Sequence, residues 1–262
     1  MTMLLLKMFS KIFSFLLIVL LFGCKNPDNS DKSNFKLIPR NSYFTDNHNG
    51  ISVYRENETR KPMDGYYVVG DKTTKWEEFN VTKGVLSGDY IIFHNNGNMF
   101  SQSKYLNGKL HGEEKTYTLS GILSKASNFN HGIRYGKDLS YFENGQIQSE
   151  SKIKNEEVIE SVTYNNIGEI KSQMFIKDGR KITQNIKAGK VFFEQISSTY
   201  DSFEAMKFYN EDGSLKIYLR MLEEDDKGYL IELDDNGDEI KRINVKANPQ
   251  EAMKYFQYMK EF

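Results

Sequence analysis

The chain has 262 residues, 35 basic and 36 acidic side chains for a formal net charge of −1, and a single cysteine. That balance excludes the strong basic excess of a typical nucleic-acid binder, and one cysteine excludes an intrachain disulfide. The length fits one large domain or an extended array of small units.

The first element in chain order is a leader. Lys7 and Lys11 give a basic start, residues 12–22 are apolar except for Ser14, and Gly23 and Cys24 follow. This is the layout of a secretory signal, and the apolar run is short of the roughly 20 residues a membrane span needs. A lone thiol after Leu21, Phe22 and Gly23 resembles the lipobox of bacterial lipoproteins. The resemblance implies cleavage before Cys24, acylation of its sulfur, and a mature chain anchored in the bacterial cell envelope on the extracytoplasmic side. Two or more acyl chains hold a protein at a membrane where one does not. Residues 1–23 are therefore expected to be a lipoprotein signal peptide and 24–40 a flexible tether, since 25–34 are polar without an apolar pattern.

The span 41–247 is predicted to be a β-repeat array, clearest over 88–182. Gly97, Gly121 and Gly145 are spaced by 24, and Gly168 follows after 23. Eleven residues after each lies a second turn position: Gly108, Gly132, Glu156 and Gly179. Four residues before each lies an aromatic: Phe93, Tyr117, Tyr141 and Tyr164. Met99, Leu123, Ile147 and Ile170 follow at +2, and Tyr105, Phe129, Ile153 and Ile176 at +8. Even spacing on an extended strand predicts that the +2 and +8 residues share a face. The glycines and asparagines supply the positive backbone dihedrals of tight hairpin turns. Each unit reads as two short strands and two turns, and only stacked units can bury an apolar face. The expected fold is all-β, an extended antiparallel β-meander of hairpin repeats about 24 residues long with a short C-terminal helix.

The period fades outward. Residues 64–84 read as a degenerate unit with Trp76 in its core, and Gly213 and Gly237 mark a later one. Gly189 lies 24 before Gly213, but its flanking residues fit the offsets poorly, which leaves 183–203 the least regular stretch. Residues 248–262 are expected to cap the array. Asn248 suits a helix cap and Pro249 the first helical position, and Ala252, Met253, Phe256 and Met259 lie at helical spacing. The helix is placed at 249–261, over the last sheet edge.

The pattern G-x-x-x-x-Y-x-x-N-G-x-(Ile/Leu) followed by Tyr-x-x-G-K-L-x-G is best seen in 88–111, 112–135 and 136–159. It resembles the MORN-variant repeat of bacterial YwqK-type proteins, whose members are often antitoxin or immunity components. The resemblance implies binding to a protein partner without catalysis, with the matching tyrosines and glycines as framework. The lipobox departs from the cytosolic setting of those antitoxins.

The remaining candidate chemistry is thin. His48, His94, His111 and His131 have no cysteine or clustered acid at ligand spacing, so they read as solvated turn residues, although His111 and His131 occupy near-equivalent turns of neighbouring repeats. Calcium loops around Gly213 and Gly237 fail at the bidentate glutamate, where Leu219 and Ile243 stand. Residues 201–239 carry 13 acids against four bases, and 101–190 carry 14 bases against 10 acids. Both read as solvated faces ahead of a polarised binding surface. Without a nucleophile motif, and with Cys24 assigned to lipid, no catalytic residue, cofactor, metal or small-molecule substrate is expected. The functional expectation is a membrane-anchored, non-enzymatic repeat protein that binds a protein partner, immunity-like. The alternative is a structural or scaffolding lipoprotein of the envelope.

Overall fold

Turns of two kinds, alternating along the chain, build the sheet. The computed structural model describes residues 34–259, so the expected signal peptide, Cys24 and residues 260–262 lie outside the described residues. The strands are β1 (Lys36–Ile38), β2 (Tyr43–His48), β3 (Ile51–Glu56), β4 (Gly65–Gly70), β5 (Lys75–Thr82), β6 (Val85–Phe93), β7 (Met99–Leu106), β8 (Lys109–Tyr117), β9 (Leu123–Asn130) and β10 (Ile133–Tyr141). They continue as β11 (Ile147–Lys154), β12 (Glu157–Tyr164), β13 (Ile170–Lys177), β14 (Arg180–Lys187), β15 (Lys190–Ser198), β16 (Glu204–Tyr209), β17 (Leu215–Glu224), β18 (Lys227–Leu233) and β19 (Glu239–Asn244), before helix α1 (Pro249–Met259). From β4 to β19 each strand pairs antiparallel with the next, as a meander requires.

Along one edge the strands are joined by two-residue turns in which both residues have positive φ. Asn107 (51°) and Gly108 (76°) form one, and His131 (51°) and Gly132 (88°) the next. This mirror-image turn matches the right-handed twist of the strands it joins. Along the other edge the loops have three residues. His94 N donates to Asn98 O (2.8 Å), Gly97 N donates to His94 O (2.9 Å), and Gly97 takes φ 87°. The same pair of bonds recurs at Gly121, Gly145, Gly168, Gly213 and Gly237.

A one-residue register shift follows each three-residue loop and corrects the expected facing of the repeat. Ile92 stands opposite Ser101, but Phe93 stands opposite Met99. Since Ile92 and Phe93 point to opposite faces, Met99 lies on the face away from Ser101, Ser103 and Tyr105. The +2 and +8 residues are therefore on different faces. The bulge repeats at Tyr117–Leu123, Tyr141–Ile147, Tyr164–Ile170 and Tyr209–Leu215.

The irregular stretch 183–203 also has a physical cause. Ala188 (φ 49°) and Gly189 (φ 74°) make a two-residue turn on the edge where three-residue loops otherwise sit. On the opposite edge a longer loop joins β15 to β16. There Ser198 Oγ accepts the amides of Tyr200 (3.1 Å) and Asp201 (3.0 Å), and Arg180 pairs with Asp201 (3.0 Å). A two-residue turn replaces a three-residue loop on one edge and a longer loop replaces a two-residue turn on the other, which displaces the offsets around Gly189.

Hydrophobic clusters sit at the two ends. At the N-terminal end Phe79, Val69, Val81, Met63, Tyr54 and Tyr67 form a core joined by Ile38, Tyr43, Tyr90 and Tyr105, with Trp76 packed at its side. Strand β1 supplies Ile38 and pairs parallel to β4, with Lys36 opposite Tyr67. The stretch expected to be tether up to residue 40 is thus partly strand, held by core burial of Ile38 and by Lys36 Nζ donating to Asp64 O (3.1 Å). At the C-terminal end both faces carry buried side chains. Phe208, Leu219, Leu230 and Ile243 meet Ala252, Tyr255 and Phe256 of α1 on one face. Ile196, Ala205, Tyr218, Ile231 and Leu233 cluster on the other. The helix forms as expected but lies on a face, because its apolar side has a larger apolar surface to bury there than at the charged strand edge of Lys241 and Arg242.

A candidate interaction surface on the middle of the sheet

Between these ends, β8 to β13 form a single layer. Among the described residues each of these strands packs chiefly on its neighbours in sequence. Buried apolar side chains here are few: Ala126, Ile153 and Met174. The two faces differ in chemistry, and the alternation of side chains across the pleat decides which residue goes where.

One face is a ladder of hydroxyls. Cross-strand partnership runs Ser101, Thr116, Lys125, Ser140, Ser149, Thr163 and Ser172. Within it Ser140 Oγ and Ser149 Oγ are 2.6 Å apart, and Thr163 Oγ1 and Ser172 Oγ are 2.7 Å apart. In the adjacent row Ser103 Oγ donates to Glu114 Oε1 (3.1 Å). These groups satisfy one another, so the rows near the three-residue loops are polar but internally bonded, while the buried Ile153 and Met174 lie farther along the same face.

The other face carries an apolar stripe near the edge of three-residue loops. The cross-strand pairs Tyr117–Leu123, Tyr141–Ile147 and Tyr164–Ile170 line it. Beside them runs the row Lys115, Ala126, Leu139, Glu150, Val162 and Gln173. Ile147 and Ile170 are 39% and 41% exposed, and the loop side chains Leu119 and Ile167 are 61% and 68% exposed, which makes this an uncovered apolar strip. Lys115 reaches Glu113 at 2.7 Å. That hydrogen bond holds its ammonium above the usual lysine pKa, with Tyr117 and Tyr141 adding to the shift.

The glycines picked out by spacing all have positive φ: Gly97, Gly121, Gly145 and Gly168 on one edge, and Gly108, Gly132 and Gly179 on the other. Loop-to-loop bonds join the first edge laterally. Asn96 Nδ2 and Asn98 Nδ2 donate to Leu119 O (2.8 and 2.9 Å), and Asn144 Nδ2 donates to Asn166 O (3.3 Å). The sequence marks these asparagines only as turn residues and not their lateral bonds, whose signal is an amide side chain beside the loop glycine.

The remaining candidates fall into place. His94 stacks edge-on to Phe100 (5.1 Å) with its Nε2 3.2 Å from Tyr117 O. Asp212 and Asp234 cap their own turns. Asp212 Oδ1 accepts the hydroxyl and the amide of Ser214 (2.6 and 2.8 Å), and Asp234 Oδ1 accepts the amides of Asn236 and Asp238 (both 2.9 Å). Those bonds hold both carboxyls below the usual range. Among the described residues no group of three or more His, Cys, Asp or Glu could hold a metal ion. His111 and His131 do meet, with ring centroids 4.7 Å apart.

Residues 134–155 match the family model of the MORN repeat variant. They span the β10–β11 hairpin, including the bulge glycine Gly136, the aromatic Tyr141, the loop glycine Gly145 and the buried Ile153. MORN repeats generally serve protein interaction or membrane association, compatible with a non-catalytic repeat protein. No curated protein matches this chain. Among solved structures it is similar to one titled accessory secretory protein 1, 2 and 3 of Streptococcus pneumoniae, at 15% identity and TM-score 0.22, covering 45% of this chain and 21% of that one. The chain thus spans about a fifth of that structure's length. Another is a putative 6-phosphogluconolactonase of Bacteroides fragilis, at 11% identity and TM-score 0.16, covering 74% of this chain and 90% of that one. Likeness at this level carries no argument about fold or activity.

Proposed function

We propose that this chain is an envelope-anchored, non-enzymatic MORN-variant repeat protein that holds a protein partner, in the manner of an immunity component. One observation carries the reading. A stripe of paired aromatic and aliphatic side chains, repeated once per unit on β8 to β13, is left without cover on a bonded, pre-formed sheet. A broad face of this kind suits a macromolecule better than an enclosed small substrate. The MORN-variant match on one of these hairpins, residues 134–155, agrees with such a role.

The leader and Cys24 support an envelope location. Acylation there would tether the array to a membrane through the short segment ahead of β1. Cys24→Ser, expressed in a lipoprotein-competent bacterium, should leave precursor that takes up no labelled fatty acid. Normal processing of that variant would remove the anchor from the proposal. The binding role is tested by crosslinking and pull-down of the full anchored chain from its own cells. One saturable partner is expected, lost in a Tyr141→Ser, Ile147→Ser double variant that keeps its β-sheet spectrum. Recovery of abundant envelope proteins alone, unchanged by the double variant, would favour a scaffolding role.

A further inference from the structure

We propose that His111 and His131 form a two-imidazole site for a borderline transition ion such as Zn2+. Their meeting is built into the backbone. Gly132 N donates to Leu110 O at 2.7 Å, which clamps the β9–β10 turn onto β8 between the residues next to each histidine. His111 sits in the β8 bulge, between the pairs Tyr105–Leu110 and Ser103–Glu114, and His131 is the first residue of the turn. The rings meet edge to face, with centroids 4.7 Å apart and planes at 71°. The preceding repeat has the same clamp, Gly108 N to Leu86 O (2.9 Å), but Ser87 and Asn107 occupy the equivalent positions. The pair therefore does not belong to the framework of the repeat.

Two details point to an ion. His111 Nδ1 is buried and has no hydrogen-bond partner among the described residues. An edge-to-face ring contact alone leaves that nitrogen unsatisfied, which costs stability. Second, His131 Nδ1 lies 2.7 Å from Asn130 Oδ1. The carbonyl oxygen makes Nδ1 the protonated nitrogen and leaves the Nε2 lone pair free to ligate, the arrangement that usually orients a metal-bound histidine. Imidazole suits zinc, copper and nickel and does not suit calcium or magnesium. Two protein ligands leave the remaining coordination positions to water, one ligand fewer than the three of a catalytic zinc site and two fewer than the four of a structural one.

The test is calorimetric titration of Zn2+ into the full, untagged chain. One ion per chain is expected. His111→Gln and His131→Gln should each weaken binding by at least about tenfold, the low end of what even an outer-shell change does. His48→Gln and His94→Gln should leave it unchanged, and circular dichroism should show all four variants folded. Absence of zinc binding by the unaltered chain, or binding that both His111→Gln and His131→Gln retain, would overturn the proposal. The outcome is independent of the anchor and of the apolar stripe.

Discussion

At the residue scale, the second position of the two-residue turns shows why a repeat keeps or gives up its glycine. Gly108 and Gly132 have nearly the same backbone, φ 76° and 88°. A Cβ at Gly108 would meet Ile51 Cγ2 at 2.7 Å and Val85 Cγ1 at 2.9 Å, whereas one at Gly132 would meet nothing within 4 Å. The next turn carries Glu156 at φ 67°, so a side chain is accepted at an open member of the series. A positive φ alone costs a non-glycine residue on the order of 1–3 kcal/mol, and the clash adds overpacking of similar size. Gly132→Ala is thus expected to lose about 1 kcal/mol and Gly108→Ala at least about 2 kcal/mol. Urea midpoints of the two variants check this, and equal losses would show that packing against β3 and β6 is not what keeps Gly108.

At the element scale, the N-terminal strands enclose a carboxylate among phenols. Tyr43 Oη and Tyr90 Oη donate to Glu77 Oε2 at 3.0 and 2.8 Å. Burial, reinforced by Glu77 and the neighbouring tyrosines, pushes the phenols of Tyr43 and Tyr90 far up, and burial pushes Tyr54 to about 12. A phenol whose folded pKa lies above its unfolded value of 10.0 stabilises the fold fully below that value. The contribution is lost as pH rises from there towards the folded pKa, because the unfolded chain sheds its protons first. The fold should therefore weaken between about pH 10 and pH 12. Absorbance at the phenolate band should show a late-titrating group that appears together with loss of β-sheet dichroism. Phenols that all titrate near 10 while the sheet stays intact would count against this enclosed cluster. Strands, turns and helix were legible in the sequence because glycine spacing and apolar periodicity report them directly. The bulge beside each three-residue loop was not, since one extra residue such as Phe100 leaves no mark in composition and yet moves Met99 to the other face. The altered turn lengths around Gly189 showed only as a misfit of offsets. The strand nature of β1 was hidden because three residues depend entirely on β4 for pairing and on the Phe79 core for burial.

At the scale of the whole molecule, the chain is two cored ends joined by a layer without a core. The stacking of units was legible from their period, but the uncovered state of β8 to β13 was not. The sequence shows the same apolar positions in every unit and does not say which units gain β2, β3 or α1 as cover. Stability should follow that division. Strands β4 to β6 and β16 to β18 hold side chains such as Phe79, Leu219 and Leu230 that are fully buried. Strands β8 to β13 depend on backbone ladders and on cross-strand pairs worth roughly 0.2–1 kcal/mol each. In an array whose units contact only their neighbours, the middle can open locally without unfolding the ends. Hydrogen exchange read by mass spectrometry should thus show amides of 109–177 exchanging before those of 65–93 and 204–233. Uniform protection, or faster exchange at the ends, would contradict the division. The same experiment reports on function. The proposed partner, seated on Tyr117, Tyr141 and Tyr164, would supply the second layer that this segment lacks, so its binding should slow exchange in 117–170 most and leave the two cored ends nearly unchanged.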